Sequence, residues 1–151
     1  MLRLYKTRDA YDLPFRNVFM DVITCLDFLE HVEKPKDVIR ECARVLKPDG
    51  LFFFHTLNRN FLFWLLVIKR IEFLVKNKQK DMHVIELFIT PNELKHYCLD
   101  VGLEVNEIIG LRPKFTTFSV KNYFSGVVPR SFEFTLTPSL MLSCMGMATK
   151  R

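Results

Sequence analysis

Three side chains that could bind a metal ion or move a proton follow a short run of β-branched residues. They are Asp27, Glu30 and His31, and the run before them is Asp21 to Cys25. Such a run is typical of a strand that is buried on both faces of a parallel sheet. Because open α/β sheets collect their ligands at the carboxyl ends of the strands, the sequence predicts a functional site at this point.

The spacing of Asp27, Glu30 and His31 allows two kinds of chemistry and one purely structural role. Positions i, i+3 and i+4 share one face of a helical turn, where two carboxylates and an imidazole could hold a divalent ion such as Mg²⁺. Without a metal, His31 is the natural general base, since histidine readily exchanges a proton near neutral pH. The structural alternative is that Glu30 caps the next helix and His31 simply packs.

The segments around these residues alternate between strand-like and helix-like patterns, which indicates βαβ units. Pro35 can begin a helix that residues 48–50, Pro-Asp-Gly, would end. The apolar stripe of this helix consists of Val38, Ile39, Cys42, Val45 and Leu46. A strand at Leu51 to His55 then completes one crossover between two parallel strands.

The later part of the chain predicts a second helix and two more strands. Thr90, Pro91 and Glu93 form a capping box with proline in the first turn, and Gly102 is placed to end the helix with a left-handed residue. Two strands and a loop or lid are predicted after it, at residues 103–110, 140–148 and 111–139 respectively. The loop is predicted because prolines and phenylalanines are scattered there without a period.

Residues 60–80 combine a bulky apolar block with an excess of lysine and arginine. This pattern is typical of an amphipathic helix lying in a membrane interface, since its apolar run is far shorter than the roughly 20 residues that a spanning helix needs. Anionic headgroups would add about 1 kcal/mol for each nearby basic residue. The alternative is an ordinary helix that covers the sheet with its lysines in water.

Composition narrows the classes of function. An apolar content of 49% in 151 residues suits one packed domain. The net charge is +5, but the basic residues cluster beside aliphatic ones and do not interleave with aromatics, so nucleic-acid binding is not expected. Four separate cysteines without a CxxC pair predict neither a zinc cluster nor a disulfide scaffold, and suit a cytosolic protein. No signal peptide or spanning helix is predicted.

Five motifs in this chain together resemble one protein family. They are TCLDFLEHV, RECARVLKPDG, FFHTLNRN, FITPNELKHYCLDVGLEV and IIGLRP. They are similar to those of class I S-adenosylmethionine-dependent methyltransferases, and most of all to the O-methyltransferases of ubiquinone biosynthesis. The resemblance covers residues 9 to about 113. It implies an α/β fold with a Rossmann-like sheet, and transfer of a methyl group from S-adenosylmethionine to a polyprenylated catechol or hydroxyquinol.

The resemblance also implies roles for individual residues. Asp9 and Ala10 match the pair that contacts the adenine of the cofactor, and Leu26 matches an apolar residue at its methionine end. The alternative for Asp9 is a loop aspartate that stabilises a turn. Some relatives are metal-assisted, which supports the divalent-ion hypothesis. However, Asp27 stands where relatives more often have glutamate, so its carboxylate reaches less far.

The glycine-rich loop and first strand of the family have no counterpart here, since the five glycines form no GxG. The resemblance therefore implies a sheet that is N-terminally incomplete, with residues 1–20 as a remnant of the third strand and the adenine loop. Weak cofactor binding by this chain alone is expected. The strand at Asp21 to Cys25 would expose one edge, which invites aggregation or a polypeptide that supplies the front half.

Two functions from different classes follow. The first is an enzyme of ubiquinone biosynthesis, cytoplasmic and peripheral to the inner membrane face, where residues 60–80 help it meet a lipid-soluble quinone precursor. The second is a catalytically inactive remnant or a membrane-peripheral binding module. Methyl transfer by the isolated chain would exclude the second, and liposome binding without transfer would favour it.

Overall fold

The structure, a computed structural model, describes residues 9–60, 87–114 and 133–151. The strands are β1 (Met20–Leu26), β2 (Leu46–Leu57), β3 (Leu103–Pro113), β4 (Phe134–Thr137) and β5 (Ser143–Lys150), and the helices are α1 (Pro35–Val45), α2 (Pro91–Asp100) and a short 3-10 turn, η1 (Leu29–His31). The strands form one mixed sheet in the order β1-β2-β5-β3-β4. β1 and β2 are parallel, whereas the other neighbouring strands are antiparallel.

The predicted unit of strand, helix and parallel strand is confirmed by β1, α1 and β2. The predicted run Asp21 to Cys25 lies inside β1. Its expected burial on both faces is wrong, because Cys25 is the one buried residue of β1, which is also an edge of the sheet among the described residues. Val22 and Leu26 leave 49% and 54% of their surface exposed. An exposed apolar edge is what the family resemblance implied.

The core lies between α1 and one face of β2. Helix α1 begins at Pro35 as predicted, and its buried residues are Val38, Ile39, Cys42, Ala43 and Val45. Alternate residues of β2 from Phe52 to Thr56 are buried, with the period of two of a strand. Burial of each of these phenylalanine side chains stabilises the folded state by roughly 1.5–3 kcal/mol. His55 therefore points to the opposite side of β2 from the buried phenylalanines.

The C-terminal end of α1 is stabilised by a lysine from β5. The Lys150 ammonium donates to the carbonyl oxygens of Ala43 and Leu46, at 2.6 and 2.8 Å. These bonds satisfy carbonyl groups that a helix end otherwise leaves without partners. Strand β2 begins directly at Leu46, and the residues predicted to end the helix, 48–50, lie instead where the pairing of β2 with β1 shifts register.

Helix α2 begins with the predicted capping box. The Thr90 hydroxyl accepts a hydrogen bond from the Glu93 amide at 3.2 Å, and the Glu93 carboxylate accepts one from the Thr90 amide at 2.8 Å. Gly102 follows the helix with φ 77°, the left-handed conformation predicted for it. Helix α2 packs against α1, where the Lys36 ammonium lies 2.6 Å from the Asp100 carboxylate.

Strand β5 fits between β2 and β3 at a glycine. A Cβ atom on Gly146 would stand 2.2 Å from the Glu107 carbonyl oxygen and 2.7 Å from the Phe54 ring. The neighbouring strands therefore leave no room for a side chain at this position. The strand predicted at residues 140–148 is observed at Ser143–Lys150.

The predicted loop or lid at residues 111–139 is wrong at both ends. Strand β3 continues to Pro113, and β4 occupies Phe134–Thr137. These two segments look irregular in sequence, but they pair with each other and so satisfy their backbone groups. The middle of the predicted loop, residues 115–132, lies outside the described residues.

The predicted amphipathic helix at residues 60–80 lies outside the described residues apart from Asn60, and so do residues 1–8 of the predicted N-terminal remnant. In the parts of the chain that the structure describes, no helix is long and apolar enough to cross a membrane.

Loss of the capping box is expected to destabilise the domain. Thr90→Ala removes the side chain that accepts from the Glu93 amide, so the free energy of unfolding should fall by about 1 kcal/mol. Urea unfolding followed by circular dichroism measures the change. Thr90→Ser keeps the hydroxyl and should stay close to the wild-type value, and equal losses in both variants would contradict a capping role.

Candidate functional site

The site forms where β1 and β2 end side by side. Leu26, the last residue of β1, is paired in register with His55 of β2. Asp27 follows with φ 51° and donates its backbone N–H to the His55 carbonyl oxygen at 3.0 Å. Aspartate tolerates the left-handed region better than most residues, because its short side chain can form local hydrogen bonds. The turn thus places the Asp27 side chain at the carboxyl end of the sheet.

A chain of hydrogen bonds links this turn to β5 and β3. The Asp27 carboxylate lies 2.6 Å from His55 Nδ1, and His55 Nε2 lies 3.2 Å from the Ser143 hydroxyl. Ser143 donates to the Leu111 carbonyl oxygen at 3.0 Å. The Asp27 side chain is 67% exposed, whereas that of His55 is 14% exposed. This series of hydrogen bonds therefore runs from solvent at the end of β1 into the interior of the sheet.

Glu30 points away from this turn into the core. It is 1% exposed, and the buried Thr56 hydroxyl donates to its carboxylate at 2.8 Å. Its predicted alternative role as a helix cap is wrong, since α1 has no side-chain cap. Thr56 directly follows His55 in β2, so neighbouring residues of one strand bind two different carboxylates on opposite faces.

The predicted common face of Asp27, Glu30 and His31 is wrong. Only Glu30 and His31 belong to the 3-10 turn η1, while Asp27 precedes it in a left-handed conformation. Glu30 is buried against Thr56, Asp27 binds His55, and His31 is exposed. No three His, Cys, Asp or Glu side chains among the described residues are grouped to hold a metal ion. These residues therefore do not fit the divalent ion that the family resemblance implied.

His31 remains the predicted general base. Its backbone N–H donates to the Phe28 carbonyl oxygen at 3.0 Å, which closes η1 and leaves the exposed imidazole close in sequence to the Asp27 turn. The alternative in which His31 is simply packed is wrong, because the residue is exposed.

Asp9 and Ala10 form a turn beside the start of α1. The Asp9 carboxylate accepts from the Tyr11 amide at 2.9 Å, which is the turn-stabilising role considered as its alternative. The Tyr11 hydroxyl accepts from the Lys34 amide at 3.3 Å, so this turn lies near the segment that follows η1. Ala10 packs against the core. Adenine contact by Asp9 and Ala10, and cofactor contact by the exposed Leu26, remain predictions.

Two side chains of α1 clamp the segment between the Asp9 turn and β1. The Arg44 guanidinium donates to the carbonyl oxygens of Leu13 and Phe15 at 3.0 and 2.9 Å. It also binds the Glu41 carboxylate, which accepts from the Leu13 amide at 2.8 Å. The hydrogen bond from Arg44 lowers the pKa of Glu41. The clamp fixes the path of the chain that carries Asp9 and Ala10.

Sequence reasoning missed His55, Ser143, Thr56 and Arg44. A signal for His55 was present, because it interrupts the aromatic run LFFF at the end of a predicted strand. Its partner could not be inferred, since Ser143 is 88 positions away. Arg44 carried no such signal, because an arginine on the polar side of a helix usually faces solvent.

The four cysteines do not contribute a reactive thiol to this site. Cys25, Cys42, Cys98 and Cys144 are all buried and unpaired. Burial is the main cause that raises the pKa of each thiol to about 12. Because the thiolate is the reactive form, these side chains are structural.

Several known proteins to which this chain is similar are methyltransferases. The methyltransferase domain family model matches residues 3–54. A ubiquinone biosynthesis O-methyltransferase of Pseudomonas entomophila is 47% identical over 120 residues, which are 72% of this chain and 52% of that protein. One of Pseudomonas putida is 47% identical over 91 residues, which are 60% of this chain and 39% of that protein.

The chain is a relative of these O-methyltransferases. It spans about half or less of the length of these two relatives. A putative methyltransferase of Bacillus halodurans superposes with a TM-score of 0.60 at 16% identity, covering 95% of this chain and 69% of that one. The predicted fold class is confirmed as the Rossmann-like sheet of class I S-adenosylmethionine-dependent methyltransferases.

The Arg44 clamp of this methyltransferase fold is expected to depend on pH. Arg44→Met should lower the midpoint of urea unfolding at pH 7 more than Arg40→Met, because the Arg40 side chain is exposed and binds Asp37 within the same helix. The pKa of Glu41 is lower in the folded protein than its ordinary value of 4.5. The ionised carboxylate therefore contributes fully to the free energy of unfolding above that ordinary pKa, and the contribution is lost as the pH falls through the folded pKa. The loss of stability caused by Arg44→Met should therefore be smaller at pH 3 than at pH 7. An equal loss at the two pH values would contradict the clamp.

The thiols of this methyltransferase fold should be unreactive until it unfolds. At pH 8 a thiol whose pKa is about 12 carries almost no thiolate, and all four are also buried. The native protein should therefore react with Ellman's reagent only as fast as it unfolds. In urea, all four thiols of each chain should react at once. A rapid native phase of one or more equivalents would show that a thiol is accessible.

Proposed function

We propose that this chain is an S-adenosylmethionine-dependent O-methyltransferase that acts on a polyprenylated catechol or hydroxyquinol in ubiquinone biosynthesis. The observation that carries the proposal is 47% identity over 120 residues to a ubiquinone biosynthesis O-methyltransferase. The position of Asp27 and His55 at the carboxyl end of parallel strands supports it, because that is where this class of sheet binds its ligands.

The cofactor would be held at the end of β1. Asp9 and Ala10 would contact its adenine from a turn that the Arg44 clamp holds in place, and Leu26 would line its methionine end with an exposed apolar side chain. When bound, S-adenosylmethionine supplies an activated methyl group. The side chains of the protein then have to hold the acceptor oxygen in line with the methyl group and exclude other orientations of the acceptor, since this alignment is the main requirement of methyl transfer.

The acceptor hydroxyl must lose a proton as it is methylated. His31 is the proposed proton acceptor, because it is an exposed imidazole four positions after Asp27. A catechol places a second hydroxyl beside the reacting one. The exposed Asp27 carboxylate could accept a hydrogen bond from that second hydroxyl and so fix which oxygen faces the methyl group.

Membrane contact is the second part of the proposal. A polyprenylated precursor is lipid-soluble, and the basic amphipathic residues 60–80 would bring the site to an anionic surface, with the protein cytoplasmic and peripheral to the inner membrane face. A polypeptide equivalent to the remaining part of the relatives is a proposed partner, and the exposed edge of β1 is a suitable place for it.

A second candidate function is a membrane-peripheral binding module without methyl transfer. It is favoured by the basic amphipathic pattern of residues 60–80, which needs no cofactor to bind an anionic surface. Such a module would keep the sheet and the basic segment but would bind the cofactor weakly.

Methyl transfer can be measured with tritium-labelled S-adenosylmethionine and a short-chain polyprenyl catechol in anionic liposomes. The proposed enzyme should label one catechol hydroxyl. Asp9→Ala should raise the KM for the cofactor about tenfold, because it removes a charge-assisted hydrogen bond, while the neighbouring Asp12→Ala should leave it unchanged. Liposome binding without any labelling would reject the enzyme and favour the binding module.

A further inference from the structure

Strand β4 and the turn between β4 and β5 expose large apolar side chains. Leu136 leaves 58% of its surface exposed, Met141 leaves 58%, and Phe134 leaves 54%. Single apolar side chains are ordinary on a protein surface, whereas several at one place mark a surface that binds something. We call these three residues the β4 tip.

The β4 tip lies at the end of the sheet where β2 stops. Leu57, the last residue of β2, pairs with Ser143 of β5. The Ser143 hydroxyl donates to the Leu111 carbonyl oxygen at 3.0 Å, and Leu111 in turn pairs with Leu136. These four residues form one row across four strands. Leu136 therefore lies at the carboxyl end of the sheet, where the turn at Asp27 also lies.

Asn58 ties this end of β2 to the turn that carries Met141. Its backbone N–H donates to the Leu142 carbonyl oxygen at 3.0 Å. Its side-chain nitrogen Nδ2 donates to the carbonyl oxygens of Leu140 and Met141 at 2.8 and 3.4 Å. The predicted membrane segment, residues 60–80, begins two positions after Asn58. Met141 is thus held beside the point at which that segment begins.

Positive charge accompanies the apolar side chains at this end of the sheet. Arg112 is exposed and pairs with Thr135 of β4. Residues 60–80 contain five basic side chains and one acidic one, and residues 115–132, between β3 and β4, contain two basic side chains and no acidic one. Apolar groups that enter a bilayer interface, with basic groups beside them that meet the headgroups, complement an anionic membrane.

We propose that Leu136 and Met141 insert into the interface of an anionic membrane and form a second contact beside the one proposed for residues 60–80. Only the choice of a lipid surface as the partner rests on the proposed function. Two contacts on one molecule bind more tightly than either alone, because the second contact forms within a complex that the first has already made. The carboxyl end of the sheet then faces the bilayer, from which a lipid-soluble acceptor arrives.

Vesicle sedimentation measures this contact in the full chain. On vesicles of equal parts phosphatidylcholine and phosphatidylglycerol, Leu136→Gln and Met141→Gln should each weaken the partition coefficient about fivefold, because roughly half of each side chain is available to leave water. Leu99→Gln is the matched control. Leu99 is 71% exposed near the end of α2, just before β3 begins, and so lies at the opposite end of the sheet. Equal losses in all three variants would reject the β4 tip.

Insertion can be observed directly with an environment-sensitive dye. The four native cysteines are buried, so a nitrobenzoxadiazole label should attach selectively to Leu136→Cys or Met141→Cys. On the same vesicles the emission from either position should move to shorter wavelength, and doxyl-labelled lipid should quench it. The label on Leu99→Cys should show neither change. A protein that binds vesicles while both labels stay in water would overturn the proposal.

A second copy of this chain is the alternative occupant of the β4 tip. Light scattering without lipid should show no association that depends on Leu136. If the chain forms a dimer that Leu136→Gln dissociates, the surface is a protein interface and the membrane contact is wrong.

Charge reversal in the predicted segment separates this inference from the proposed function. Lys76→Glu combined with Lys78→Glu weakens the proposed contact of residues 60–80 and leaves the β4 tip unchanged. Vesicle binding that depends on these lysines but not on Leu136 and Met141 would keep the proposed contact and reject the inference. Binding that depends on Leu136 and Met141 but not on the lysines would support the inference and reject the proposed contact.

Discussion

The parallel register between β1 and β2 is the constraint on which the rest of this structure depends. It pairs Leu26 with His55, so both strands end at the same level and the turn after β1 meets the last residues of β2. A slip of one residue would reverse the faces of β2. His55 would then point into the core and Phe54 out of it, and Asp27 would lose its partner. Burial of the phenylalanines therefore sets the position of the polar site.

The other elements act as supports for this pair of strands. Strand β5 lies against β2 and contributes Ser143 to the site at one end and Lys150 to the end of α1 at the other. Helix α1 carries the Arg44 clamp, which fixes the segment leading into β1. Strand β5 thus connects the hydrogen bonds behind Asp27 to helix α1, whose Arg44 clamp holds the predicted cofactor turn.

The fold and the site lead to different levels of functional statement. Class I methyltransferase folds are recognised from solved structures at 16% identity, which identifies the architecture and not the reaction. The reaction has to be argued from side chains. Here those side chains are a carboxylate exposed at the end of a strand, an imidazole behind it and a second imidazole in the next turn.

The local structure could be predicted from the sequence. A β-branched run predicted β1, periodic patterns predicted α1, α2 and β3, and short-range chemistry predicted the Thr90 capping box and the left-handed Gly102. Motif order led to the methyltransferase fold, since the spacing of strand ends and helix starts is carried by residues close together in the chain. These features depend on contacts within a few positions, and the sequence determined them.

Only the tertiary structure decided which polar groups meet. The sequence placed Asp27, Glu30 and His31 on one face, because a regular helical turn was the simplest conformation for that spacing. The left-handed Asp27 and the buried bond from Thr56 to Glu30 separate them. The partners that replace that grouping come from distant strands, since His55 lies 28 positions after Asp27 and Ser143 lies a further 88 positions along the chain. Spacing within a motif carries no record of such pairings, because they are set by strand register across the sheet.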